Sequence, residues 1–81
     1  AIMDSMAWLH YRKERFNEAL LLLRRALSAV PKSGTITFHL ACVLRKLGKI
    51  EESEVLYRRA LKLEDDPQER RRFGPEWSAI Q

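Results

Sequence analysis

Arg24-Arg25-Ala26-Leu27 recurs unchanged as Arg58-Arg59-Ala60-Leu61, 34 residues further on. The same offset pairs Ala7 with Ala41, Glu18 with Glu52 and Leu22 with Leu56. It also pairs Met6 with Leu40, Phe16 with Ile50, Arg12 with Lys46 and Arg15 with Lys49 in kind. A fixed period of this length marks a supersecondary unit copied in tandem, each copy too small to bury its apolar face alone. Within each copy the apolar residues follow helical spacing in two bursts separated by a short polar stretch. The fold class this predicts is all-α, built from helical hairpins.

Working outward, the first helix is expected over about residues 2–13, with Met3, Met6, Ala7 and His10 on one face. The second begins near Phe16, buries Ala19, Leu20, Leu23, Ala26 and Leu27, and ends before Pro31, which cannot continue a helix. In copy two the helices are expected over about 35–47 and 50–63, with Gly48 as a left-handed stop between them. Asp66-Pro67-Gln68-Glu69 then offers an N-cap, a proline at the first helical position and a glutamate three after the cap, so another helix starts there. Gly74-Pro75 is expected to interrupt that helix, which resumes over 75–80 with Phe73, Trp77 and Ile80 as apolar contacts. This tail shows no third copy and is read as a cap on the last apolar edge. The organisation expected is one domain over 1–81, with repeat one at 1–33, repeat two at 34–66 and the capping segment at 67–81.

Tetratricopeptide repeats follow W-x2-L-G-x2-Y, then A-x3-F, then P, on a 34-residue period. Copy one reads Met3-x2-Met6-Ala7-x2-His10, then Ala19-x3-Leu23, Ala26 and Pro31; copy two reads Thr37-x2-Leu40-Ala41-x2-Leu44, then Ser53-x3-Tyr57 and Ala60. On these residues the chain resembles the tetratricopeptide repeat family over about residues 1–64, roughly four fifths of its length. The resemblance implies that the hairpins form a fragment of a right-handed α-α superhelix. Ala7, Ala19, Ala26, Ala41 and Ala60 are small where helices must approach closely, and Met3, Met6, Leu23, Leu40, Leu44 and Tyr57 fill the space between them. Two departures stand out. Glu14 replaces the interhelix glycine of copy one, so that turn is expected to be made another way. Pro67 arrives two residues late, which points to a longer last helix or a different exit loop.

The resemblance implies a protein-binding scaffold, not an enzyme, that takes extended peptides or helices on the concave face lined by first helices. Carried over by alignment, that face presents Ser5, Trp8, Tyr11 and Arg12 from copy one, Lys32 and Ser33 at the junction, and Thr35, Phe38, His39, Cys42, Arg45 and Lys46 from copy two. Aromatic side chains give contact area at low entropy cost and cations attract carboxylates, so an acidic, partly apolar peptide is the ligand class expected. The competing reading buries Trp8 and Phe38 against a neighbouring hairpin or the tail. The family's carboxylate clamp for chaperone C-termini needs lysine, asparagine and arginine across three repeats. With two copies and Asn17 as its sole asparagine, this chain is not assigned that activity.

Composition excludes other classes. No transmembrane helix fits, because the longest apolar run, Ala19 to Leu23, has five residues and a span takes about 20. The lone Cys42 forms no internal disulfide, and two histidines with one thiol at unrelated spacings make a poor zinc site, so no metal or cofactor is expected. No nucleophile–base or paired-carboxylate constellation assembles. Cys42 and His39 lie three apart, but a cysteine in an apolar helical run normally packs, as does His10 between helices.

The net charge of +4 and pI near 9.6 favour acidic partners. Nucleic acid is the weaker form of that reading despite Arg70-Arg71-Arg72, because Glu18, Glu51, Glu52 and Glu54 precede the paired arginines as on salt-bridged solvated faces. Leu21 and Val55, apolar at equivalent outward positions, suggest self-association together with the N-terminal edge at Ile2, Met3 and Met6. Two copies are fewer than the three or so that stand alone, so the chain reads as the excised end of a longer array. Asp4-Ser5-Met6-Ala7-Trp8 resembles the repeat openings of many bacterial members; cytoplasmic and periplasmic locations both suit these residues.

Overall fold

Each apolar burst becomes a helix, and each polar stretch between bursts becomes the turn of a hairpin. The computed structural model describes the backbone of residues 2–80 and the side chains of residues 6–80. It comprises α1 (Ile2–Arg12), α2 (Phe16–Ala29), α3 (Gly34–Lys46), α4 (Ile50–Leu63) and α5 (Pro67–Ala79), with no strand among the described residues. Helices α1 and α2 pack as one hairpin, α3 and α4 as the next, and α2 joins them by packing on α3. No helix is long and apolar enough to cross a membrane.

The 34-residue period persists in the hydrogen bonds. After α1, the Glu14 N–H donates to the Tyr11 carbonyl (3.0 Å) and the Arg15 N–H to the His10 carbonyl (2.8 Å). After α3, the Gly48 N–H donates to Arg45 (3.1 Å) and the Lys49 N–H to Leu44 (2.9 Å). Both pairs are the paired bonds of a left-handed helix stop. Gly48 takes φ 84° and Glu14 takes φ 60°. The expectation that copy one turns differently is therefore corrected: the turn is the same, with a glutamate in the conformation that glycine adopts freely.

The first core holds Ala7, Ala19, Leu23, Ala26, Ile36, Leu40, Val43 and Leu44. The alanines sit at the helix crossings, where a larger side chain would separate the backbones. Gly34 is equally constrained, because a Cβ there would lie 2.9 Å from the Glu64 backbone nitrogen. Two buried hydroxyls are satisfied by their own helices, Thr37 Oγ1 donating to the Ser33 carbonyl (2.8 Å) and Ser53 Oγ to the Ile50 carbonyl (2.7 Å). Ser33, expected at the ligand face, is the N-cap of α3, its Oγ accepting from the Ile36 N–H (3.1 Å). His10 packs half-buried, with Nδ1 buried and lacking a hydrogen-bond partner.

Two interior assignments are corrected. Met6 is 48% exposed instead of filling the hairpin, and Tyr57 turns toward α5 in a second core. The side chains of Ile2, Met3 and Ser5 lie outside the described residues.

Helix α5 runs unbroken through Gly74-Pro75, against the expected interruption. Asp66 caps it, Oδ1 accepting from the Gln68 N–H (2.9 Å). The reciprocal bond from Glu69 does not form: the Asp66 N–H donates to Glu64 Oε1 (3.4 Å), and Glu69 pairs with Arg72 (3.1 Å). Since α2 and α4 both have 14 residues, the late proline reflects a different exit loop, which places Pro67 at the first turn of α5.

Phe73 and Trp77, four apart and so on one face, hold α5 down. Phe73 stacks on Phe38 (4.3 Å between ring centroids, 11° between planes) and Trp77 stacks on Tyr57 (4.5 Å, 3°). The backbone of α5 approaches α3 and does not repeat against α4 the close packing that α3 makes on α2.

Candidate binding face

Trp8 on α1 is sandwiched between rings from two helices. Tyr11, one turn along, stacks on it at 4.5 Å and 3°, and His39 of α3 stacks at 4.2 Å and 22°. The Tyr11–Trp8–His39 ladder is half-buried and bridges the two first helices. The repeat explains its position, because first helices of successive hairpins lie side by side and their outward turns face each other. At the C-terminal ends of α1 and α3 stand Arg12 and Lys46, both exposed, and Arg45, half-exposed. Lys32 is exposed in the connection before α3, and Thr35 donates weakly to Glu64 Oε2 (3.5 Å).

Phe38 and Cys42 leave the exposed set, at 0% and 1% accessible. They pack with Ala41, Ala60, Phe73 and Trp77 in the second core, so the tail covers them. Of the competing readings for Trp8 and Phe38, burial by the tail holds for Phe38, while Trp8 is half-buried, stacked on His39 of the neighbouring hairpin and packed against the second core.

Helix α5 brings three residues to this face that sequence reasoning missed. Glu69, Arg72 and Glu76 join Trp8, Thr35, Phe38, His39 and Phe73 around a cavity of about 230 Å³ between α1, α3 and α5. Their spacing of three and four places them on one side of α5 with Phe73, and that periodicity was the available signal. The face is thus bipolar: the two glutamates lie along α5, while Arg12, Arg45 and Lys46 gather at the ends of α1 and α3.

Burial pushes the Cys42 thiol from 9.0 to about 12, Glu76 adds to the shift, and the thiol's own backbone hydrogen bond and Lys46 oppose it. Tyr11 rises from 10.0 to about 12, chiefly through burial, with Cys42 and Glu76 acting in the same direction. Tyr57 is raised by burial and then by Cys42. Burial thus disfavours the thiolate, the nucleophilic form of Cys42, at neutral pH. No group of three potential metal ligands occurs among the described residues.

On the outer surface, Leu21 and Val55 are 54% and 57% exposed. The expected salt bridges on α2 and α4 are absent among the described residues: Arg24, Arg25, Arg58 and Arg59 are exposed, and the ion pair that forms is Arg72–Glu69.

A family model described as tetratricopeptide repeat matches residues 36–67, and a second of the same description matches residues 1–29. No curated protein and no solved structure matches the chain.

Proposed function

The chain belongs to the tetratricopeptide repeat family, whose repeats are generally protein–protein interaction modules, and from that premise we propose that it binds an acidic, partly apolar peptide segment along α1 and α3. The observation that carries this reading is the Tyr11–Trp8–His39 ladder leading to Arg12, Arg45 and Lys46. Rings already fixed by stacking offer apolar area without further loss of rotamer freedom, and the cations beyond them favour carboxylates over other groups. The family is typically a non-catalytic scaffold.

The acidic residues of α5 refine the ligand's register. Carboxylates belong at the Arg12–Arg45–Lys46 end, and an uncharged or apolar stretch belongs beside Glu69 and Glu76. The test is calorimetric titration with a synthetic peptide of four glutamates followed by leucine and phenylalanine. Arg45→Glu with Lys46→Glu is expected to weaken binding at least tenfold with helicity unchanged, and affinity is expected to fall with added salt. Unaltered affinity in the double variant overturns the assignment.

A second reading, self-association, draws on the exposed Met6, Leu21 and Val55. Isolated exposed aliphatics are ordinary, but Leu21 and Val55 occupy equivalent positions 34 residues apart, where a row across two hairpins forms.

A further inference from the structure

We propose that the concave side of α3, together with Tyr57 and Ala60 of α4, is a helix-binding surface that α5 occupies in cis. Its partner in trans is an amphipathic helix carrying two aromatic residues four apart, with a carboxylate just before the second. The proposal rests on the reading of the concave side as the ligand face.

Helix α5 sits there as a ligand sits. A third first helix stacked in the array would press its backbone on α4 as α3 presses on α2; α5 approaches α3 as α3 approaches α1, yet it touches α4 mainly through side chains. Its hold is two stacked aromatic pairs, Phe38–Phe73 and Tyr57–Trp77. Glu76, adjacent to Trp77, lies within electrostatic reach of Cys42 and Tyr11 beneath it. These contacts define the chemistry of any competitor: aromatic, two residues, carboxylate, aromatic.

Helix α5 is also built to be released. A helix of 13 residues is marginal by itself, and Gly74-Pro75 in its interior removes a hydrogen bond and adds chain freedom. Beyond its chain neighbours a Cβ at Gly74 would meet nothing within 4 Å, and glycine there spares the helix the clash of a Cβ with the following proline ring. The helix therefore holds its shape through docking. On release it uncovers Phe38, Ala41, Cys42 and Ala60, all now buried.

Cys42, the sole cysteine, reports the opening. The intact chain is labelled with a thiol reagent under native conditions, where the rate follows the open population when closing is fast. Trp77→Ala is expected to accelerate labelling at least tenfold. Pro75→Ala, by restoring the missing N–H, is expected to slow it, and Gly74→Ala added to Pro75→Ala is expected to slow it about fivefold more, the Gly–Ala propensity difference expressed as an equilibrium constant. A fluorescent peptide of residues 64–81 is then added. It is expected to bind the Trp77→Ala chain at least tenfold more tightly than the unaltered chain and to suppress Cys42 labelling as it binds.

If Trp77→Ala loses its cooperative melting, Pro75→Ala and the double variant Gly74→Ala with Pro75→Ala decide through labelling alone. Rates unmoved by both, or a peptide that binds both chains equally or neither, overturn the proposal. Failure of the acidic-peptide titration with these responses intact would discard the charged strip alone. A surface swap between copies would appear as a dimer of the unaltered chain, and that result would replace the partner in trans with a second copy.

Discussion

Replacing Glu14 by glycine is expected to stabilise the protein. Glu14 holds φ 60° at the stop between α1 and α2, where an L-residue incurs about 1–2 kcal/mol from its Cβ. Its side chain is exposed and makes no hydrogen bond or ion pair among the described residues, so the substitution removes little else. Glycine's greater freedom in the unfolded chain offsets about 0.4–1 kcal/mol of the gain. The net expectation is about 0.5–1 kcal/mol, or about 3–6 °C in Tm for a domain of this size. Gly48→Glu is the mirror experiment. Gly48 has φ 84° with open space around the missing Cβ, so the same backbone difference is expected as a loss of similar size, without a steric contribution. Thermal melts by circular dichroism and urea titrations of both variants are the assay. A Glu14→Gly variant that melts lower, or a Gly48→Glu variant that melts unchanged, would refute the claim that both copies make one turn.

Gly34→Ala is expected to cost about 1–3 kcal/mol in urea unfolding, since the added methyl meets the Glu64 backbone at 2.9 Å and a helix end must shift. Raising the pH is expected to destabilise the fold through Cys42. Its folded-state value near 12 exceeds the ordinary 9.0, so its contribution is complete below pH 9 and is lost as pH climbs toward 12, by up to about 1.4 kcal/mol per unit. Cys42→Ala is expected to flatten that slope in stability measurements at pH 8, 9 and 10, and an unchanged slope contradicts the assignment. For self-association, sedimentation equilibrium is expected to show mass rising with concentration, relieved by Leu21→Glu; a monomer at every concentration removes that reading.

The hairpins were legible because their determinants are local or periodic: alanines at the crossings, apolar residues at helical spacing, and Gly48 and Pro31 as punctuation. The Glu14 turn was misread because residue preference describes the turn in isolation, whereas here two packed helices hold the backbone in place. The unbroken α5 has the same explanation in reverse. Gly74-Pro75 is a helix breaker locally, but Phe73 and Trp77 on either side of it dock on Phe38 and Tyr57 and carry the helix across. Alignment placed Phe38 and Cys42 on the concave side of α3; what covers them depends on where the tail folds back, a contact between residues more than 30 apart that no short-range pattern encodes. The tail's own aromatic pair was recognised as apolar, whereas Glu69 was read only as a capping residue and Glu76 passed unnoticed although both share its register.

Amide chemical-shift mapping during titration with the glutamate-leucine-phenylalanine peptide tests the ligand face directly. The expected result is saturable shifts confined to Trp8, Tyr11, Arg12, His39, Arg45 and Lys46 and their neighbours on α1 and α3. Shifts gathered instead on Arg24, Arg25, Arg58 and Arg59 of α2 and α4, or no shifts at low salt, would contradict it.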